Sequence, residues 1–189
     1  MKNLNLFIML LLSLFVINAK AQKNDPSYWT HSNKNYIGQK NTTDFQTQLG
    51  SVALSAGVLS EDFAMGDIEK IKLSAKKVKD AISSVKPIIY YGKDFTTWKY
   101  SENSMNRHLN KVLASNDISA LRAAFASFNH ALYSSVRTFG ISDEISFYQF
   151  CPMAFNNKGA FWFSNVTEIR NPYFGASMRS CGSTKRVLQ

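Results

Sequence analysis

Most of the usual signatures of catalysis are missing from this sequence. No nucleophile elbow, zinc-protease helix or phosphate-cradling glycine loop occurs, and no two carboxylates are set up as general acid and base. The 3 histidines, His31, His108 and His130, have no ligand spacing among themselves. Enzymatic activity is therefore not expected. Internal repeats of solenoid period and low-complexity tracts are absent too, which excludes repeat architectures. Cysteine is scarce, with 2 in 189 residues, and proline is scarcer than usual, with 4.

The one long apolar run is Leu6 to Ile17, preceded by Lys2 and followed by Ala19-Lys20-Ala21. That pattern reads as a secretory signal peptide over residues 1–21, with a retained anchor as the alternative, and the run is short for a membrane span. No cysteine follows the cleavage site, so a lipidated N-terminus is not expected. An exported, periplasmic or extracellular protein without stable membrane insertion follows. The formal charge of +9 falls by two when Lys2 and Lys20 are removed. A basic balance favours acidic surfaces, and export argues against nucleic acid as the partner.

Residues 22–42 are polar, with Pro26 and Gly38 as breakers, and read as a flexible lead-in to a single domain over 43–189. Tyr28, Trp29, Tyr36 and Ile37 are candidates to pin it. Four helical stripes follow. The first has Thr43 to Gln46 as capping box and Phe45, Leu49, Val52, Ala56 and Leu59 inward. The second starts at Ser60 as N-cap, carries Ile68, Ile71, Ala75, Val78, Ile82 and Val85, and stops at Pro87. Residues 86–100 read as a loop. Ser101 then caps a third helix with Met105, Leu109, Val112 and Leu113 inward. Asp117 caps a fourth, whose stripe runs from Ile118 through Leu121, Phe125, Phe128, Leu132 and Val136 to Phe139, with Gly140 as its stop. Lysines 70, 72, 76, 77 and 79 lie mostly off the second stripe and read as a solvated face. Short connections favour an up-and-down four-helix bundle.

The period changes after Gly140. Ile145 to Phe150 reads as a strand running into Cys151, Asn156 to Gly159 as a turn, and Ala160 to Phe163 as the return of a β-hairpin. Asn171 as N-cap, Pro172 at the first helical position and Gly182 as stop bracket a short helix, Pro172 to Cys181. Both cysteines lie in this segment, each with a methionine nearby. Cys151 and Met153 share a face of an extended segment, and Met178 and Cys181, with Phe174, share a face of a helix. Three outcomes stand open: a Cys151–Cys181 disulfide, a soft-metal site of two thiols and two thioethers, or free buried thiols. Such a set suits Cu(I) or Ag(I) better than Zn(II), which binds Met poorly.

The run Cys151-Pro152-Met153-Ala154-Phe155-Asn156-Asn157-Lys158-Gly159-Ala160-Phe161-Trp162-Phe163-Ser164 carries a resemblance. So do Glu168 to Gly175, with Asn171, Pro172, Tyr173 and Phe174, and the ending Met178-x-x-Cys181-Gly182. Together they resemble a bacterial domain of unknown function, number three-three-four-seven. It occurs in small exported proteins and as an appendage on periplasmic adaptor subunits of heavy-metal efflux pumps. The resemblance spans residues 44–188 and is specific over 148–182. It implies a helical envelope domain, with metal-efflux components as partners and copper or silver as cargo. Cys151, Met153, Met178 and Cys181 would carry that role, with His108 as an additional nitrogen. The sequence departs from the pattern at Phe163, where Leu is usual, at Arg179-Ser180, and at Ala124, where relatives can carry a histidine. The expectation is thus a mainly α protein, a four-helix bundle closed by a hairpin and short helix. Its role would be to bind or hand over a soft ion without catalysis, or alternatively to act as a disulfide-stapled interaction module.

Overall fold

A computed structural model describes residues 37–86 and 93–189, with residues 37–42, 93 and 94 described by their backbone alone. The expected signal peptide, residues 22–36 of the expected lead-in and the aromatics Tyr90 and Tyr91 lie outside the described residues. One compact unit comprises Asn41–Gln189. It is mainly helical: α1 (Ile37–Met65), α2 (Ile68–Ser84), α3 (Lys93–Ala114) and α4 (Ile118–Phe139) precede a small sheet. The strands are β1 (Ser146–Cys151), β2 (Ala160–Ser164) and β3 (Ser183–Leu188), antiparallel in the order β2-β1-β3.

The stripes read from periodicity form the core. Phe45, Leu49, Val52, Ala56 and Leu59 of α1 are buried, as are Ile71, Ala75, Val78 and Ile82 of α2, Met105, Leu109 and Val112 of α3, and Leu121, Phe125, Phe128 and Leu132 of α4. Phe63 stacks on Phe125 at 4.3 Å between centroids. Asp117 caps α4 by accepting from the N–H groups of Ser119 and Ala120, and Gly140 ends that helix at φ 76°. Of the α2 lysines, Lys72 and Lys79 reach across to Asn116 and Asn110, while Lys70, Lys76 and Lys77 are exposed.

Several boundaries differ from the sequence reading. Helix α1 begins by Ile37, inside the expected lead-in, and continues through Ser60 to Met65. Ser60 is not an N-cap. It is buried in mid-helix, and its hydroxyl donates to the carbonyls of Ala56 and Phe163. The cap of α2 is Asp67, whose carboxylate accepts from the Lys70 N–H at 3.1 Å, just after Gly66 breaks the chain at φ 76°. Gly57 reflects packing and not a break: a Cβ there would lie 2.0 Å from Asn165 Oδ1, so only hydrogen lets that loop close on α1. Helix α3 covers Lys93 to Tyr100, which the sequence reading left as loop. Ser101 is inside it, and Trp98 is fully buried with its ring edge-on to Phe45 at 5.1 Å.

The C-terminal segment is also corrected. The hairpin gains β3, which was unforeseen, and Cys151 to Ala160 is bridged by a left-handed turn with Phe155, Asn156 and Asn157 all at positive φ. The expected helix Pro172 to Cys181 is replaced by turns around one 3-10 turn, Gly175–Met178. A glycine at φ 57° interrupts these ten residues, and a stretch that short has little helical stability of its own.

Candidate functional site: the paired cysteines and the groove at His108

Cys151 ends β1 in register with Ala160, and its side chain is fully buried. Cys181 arrives from the far side of the 3-10 turn and is half-buried. Their sulfur atoms are 2.7 Å apart. The sequence expectation that these two residues meet is therefore met in space, although they are 30 positions apart.

Asn171 organises that meeting. Fully buried, it accepts from the Tyr173 N–H at 2.8 Å in a local turn and not as the cap of a helix, donates from Nδ2 to the Cys181 carbonyl at 2.7 Å, and donates from its own N–H to the Arg179 carbonyl at 2.8 Å. Arg122 of α4 donates to the Pro172 carbonyl at 3.0 Å, fixing the segment to the bundle. Tyr173 is buried against Phe125 and Trp162, and its hydroxyl donates to the Phe161 carbonyl. Burial above all, then Tyr148 and Cys151 nearby, pushes the Tyr173 phenol well above its ordinary range, so it stays protonated. Gly182, at φ 148°, passes where a Cβ would lie 2.8 Å from Trp162 and 3.0 Å from the Phe150 carbonyl. Trp162 itself is fully buried.

The methionines touch the pair through their backbones. The Met153 N–H points at the Cys181 sulfur and the Met178 carbonyl accepts from the Cys181 N–H at 3.2 Å. The Met153 side chain is 47% exposed and that of Met178 is half-buried. Pro152 is exposed and Gly159 is half-buried. Cys181 has its thiol pKa raised, first by its hydrogen bond to Cys151, then by burial and by repulsion from a Cys151 thiolate. The Met153 N–H opposes this.

Geometry bears on which chemistry fits. Two thiolates sharing a tetrahedral ion at metal–sulfur distances of about 2.3 Å sit about 3.8 Å apart. The Cys151–Cys181 contact is shorter than that. A raised thiol pKa likewise disfavours the deprotonated form that a metal needs. Among the described residues no three His, Cys, Asp or Glu side chains gather to hold a metal. The two thiols fit a covalent bridge more closely than a preformed ion cage.

His108 lies elsewhere. It lines an open groove of about 620 Å³ whose described walls come from α3 and α4 and not from the cysteine segment. Its Nδ1 is buried without a partner among the described residues, and its pKa is lowered by burial first, then by Lys111 and Arg107. Across the groove stands His130, which sequence spacing could not connect with it. The pairing depends on the register of two helices, and no local signal encodes that register. The sequence reading likewise missed Asn129, whose amide accepts from the Phe163 N–H at 3.1 Å and donates to the Phe125 carbonyl at 2.9 Å. With Ser60 at the Phe163 carbonyl, it closes the outer edge of β2.

A family model described as "Protein of unknown function (DUF3347)" matches residues 58–144, from the second half of α1 to just before β1. It is the family that the sequence resembles. No curated protein and no solved structure matches the chain.

Proposed function

We propose that the chain is a non-catalytic, exported interaction module closed by a Cys151–Cys181 disulfide. The observation that carries the reading is the 2.7 Å approach of the two sulfurs, one buried at a strand end and one held by the Asn171 clamp. Export into an oxidising compartment would close that contact into a bond. The bridge would tie the last strand, β3, and the 3-10 turn to the centre of the sheet. No helix among the described residues is long and apolar enough to cross a membrane.

The second reading is that the reduced pair binds or hands over Cu(I) or Ag(I), with efflux components as partners. What favours it is the position of Met153 and Met178, both in backbone contact with Cys181. Soft thiolate and thioether ligands suit such ions. One experiment separates the two. Intact mass with and without thiol alkylation, on protein taken from its native compartment, counts free thiols, and Cu(I) titration against a competing chelator follows on the reduced protein. The staple reading predicts no free thiols and no chelator-resistant Cu(I). Two alkylated thiols together with one tightly held Cu(I), lost in the Met153→Ala, Met178→Ala double variant, would establish the metal reading instead.

A further inference from the structure

The lysines of α2 carry charge that the fold does not balance. Lys72, Lys76 and Lys79 follow one another at steps of four and three, so they share one side of the helix. Lys72 donates to Asn116 and Lys79 to Asn110, which sets that side against an antiparallel α3. Facing carboxylates would offset the charge, but the facing groups are neutral amides. Residues 103–116 add Arg107 and Lys111 and contain no Asp or Glu. Among the described residues, Lys72, Lys76, Lys77 and Lys79 have no carboxylate within ion-pair distance, whereas Lys70 has Asp67 at 3.5 Å. Between the two amide contacts lies an open groove of about 460 Å³, where Leu113 of α3 meets Leu73, Lys72 and Lys76. Leu73 is 56% exposed, the one large apolar side chain that α2 leaves uncovered. Glu69 closes one end of the row and Asp80 stands past the other, so the wholly positive stretch is about 16 Å long.

We infer that this groove docks a short acidic segment of a partner protein, with one apolar side chain seated on Leu73 and Leu113 and its carboxylates against Lys72 and Lys76. Charge complementarity sets the sign of the occupant. A row bounded by a carboxylate at each end suits a segment of about three helical turns better than an extended polyanion, and an apolar floor suits a helix with an apolar face. A bilayer surface takes in several apolar side chains beside its cations, and Leu73 is alone on α2. A second copy of the same basic face would be repelled. The inference rests on the reading of the chain as an interaction module and gives that module's partner its chemistry. It does not draw on the Cys151–Cys181 bridge: a thiol count that denies the bridge leaves the groove's binding as expected, and a silent groove leaves the thiol count as expected.

The probe is a synthetic, amidated, helix-forming peptide of about three turns, with glutamates flanking a central leucine. It is titrated into the isotope-labelled chain and followed by amide NMR. Saturable shifts around Leu73 and Leu113 are expected, weakening as salt is raised. Leucine to alanine in the peptide, Leu73→Ser in the protein, and the Lys72→Glu, Lys76→Glu double variant should each weaken binding about tenfold. Leu73 and Lys76 are exposed, so Leu73→Ser and Lys76→Glu alone keep the test valid if the double variant does not fold. Lys185→Glu with Arg186→Glu, an exposed basic pair on β3, should leave binding unchanged. The inference is overturned by an absence of saturable shifts, by full affinity in the α2 variants, by polyglutamate binding as tightly as the peptide, or by tighter binding of phosphatidylglycerol vesicles through the same lysines.

Discussion

Breaking the proposed Cys151–Cys181 bridge should be visible as a loss of thermal stability with no metal in the sample. The perturbation is Cys181→Ala, preferred to Cys151→Ala because Cys181 is only half-buried and its removal leaves the smaller void. The two cysteines are 30 positions apart. Closing a loop of that length removes about 3–4 kcal/mol of conformational entropy from the unfolded chain. For a domain of this size each kcal/mol shifts Tm by about 2–4 °C. The expected fall is therefore about 6–16 °C, read by calorimetry or circular dichroism in a chelating buffer. Wild type treated with excess reductant should fall by the same amount, which separates the bond from side-chain packing. Cys151→Ala should fall further, because a fully buried sulfur is also lost from the core. Coincident melts of oxidised and reduced wild type would refute the reasoning, whatever the variants do.

Gly57→Ala should lower stability by about 1–3 kcal/mol in urea melts, since a methyl there meets Asn165 at 2.0 Å and breaks the Asn165–Leu54 bond. Helix propensity alone predicts the opposite sign, by about 1 kcal/mol. Asn129→Ala strands the buried Phe163 N–H and should cost about 1–3 kcal/mol. A double-mutant cycle with Ser60→Ala, which acts on the carbonyl of the same residue, should show coupling. The His108 midpoint, followed by NMR, should lie below 6.5. The unfolded chain then takes that proton first, so stability is full above pH 6.5 and declines as the pH falls below it. His108→Gln should flatten that slope.

Helical stripes survive as local signals because a buried face at period 3.6 is written into every turn. Each apolar position named from α2 and α4 is buried or packed against the core. What the sequence concealed was any feature whose cause is tertiary. Ser60 has the chemistry of an N-cap, yet the carbonyl that occupies its hydroxyl belongs to Phe163, 103 positions away. Residues 86–100 read as a loop, yet Trp98 lies within α3, its ring held edge-on between Phe45 and Phe139, contacts that no local pattern announces. The Pro172 to Cys181 helix failed for the opposite reason. Asn171 does accept from the Tyr173 N–H, but no helix starts at Pro172 and Gly182 leads directly into β3, because ten residues pinned at Pro172 and Cys181 have no freedom to wind.

The same long-range bonds bear on what the family-matched stretch does for the cysteines beyond it. Ser60, Arg122 and Asn129 all fall within residues 58–144, and each directs its side chain at backbone atoms between Phe163 and Pro172. Ser60 and Asn129 are buried in the helical interior and Arg122 is half-buried, and polar groups so placed cost more than they return unless their partners are present. The helices are thus incomplete without the C-terminal segment, and the segment has its two sulfurs in contact only while those helices hold it. A bundle that commits buried donors and acceptors to a neighbouring strand and turn makes the cysteine pair part of the domain's core and not an appendage to it. Whatever the pair does by way of bond or ion, it does at a separation that α1 and α4 impose.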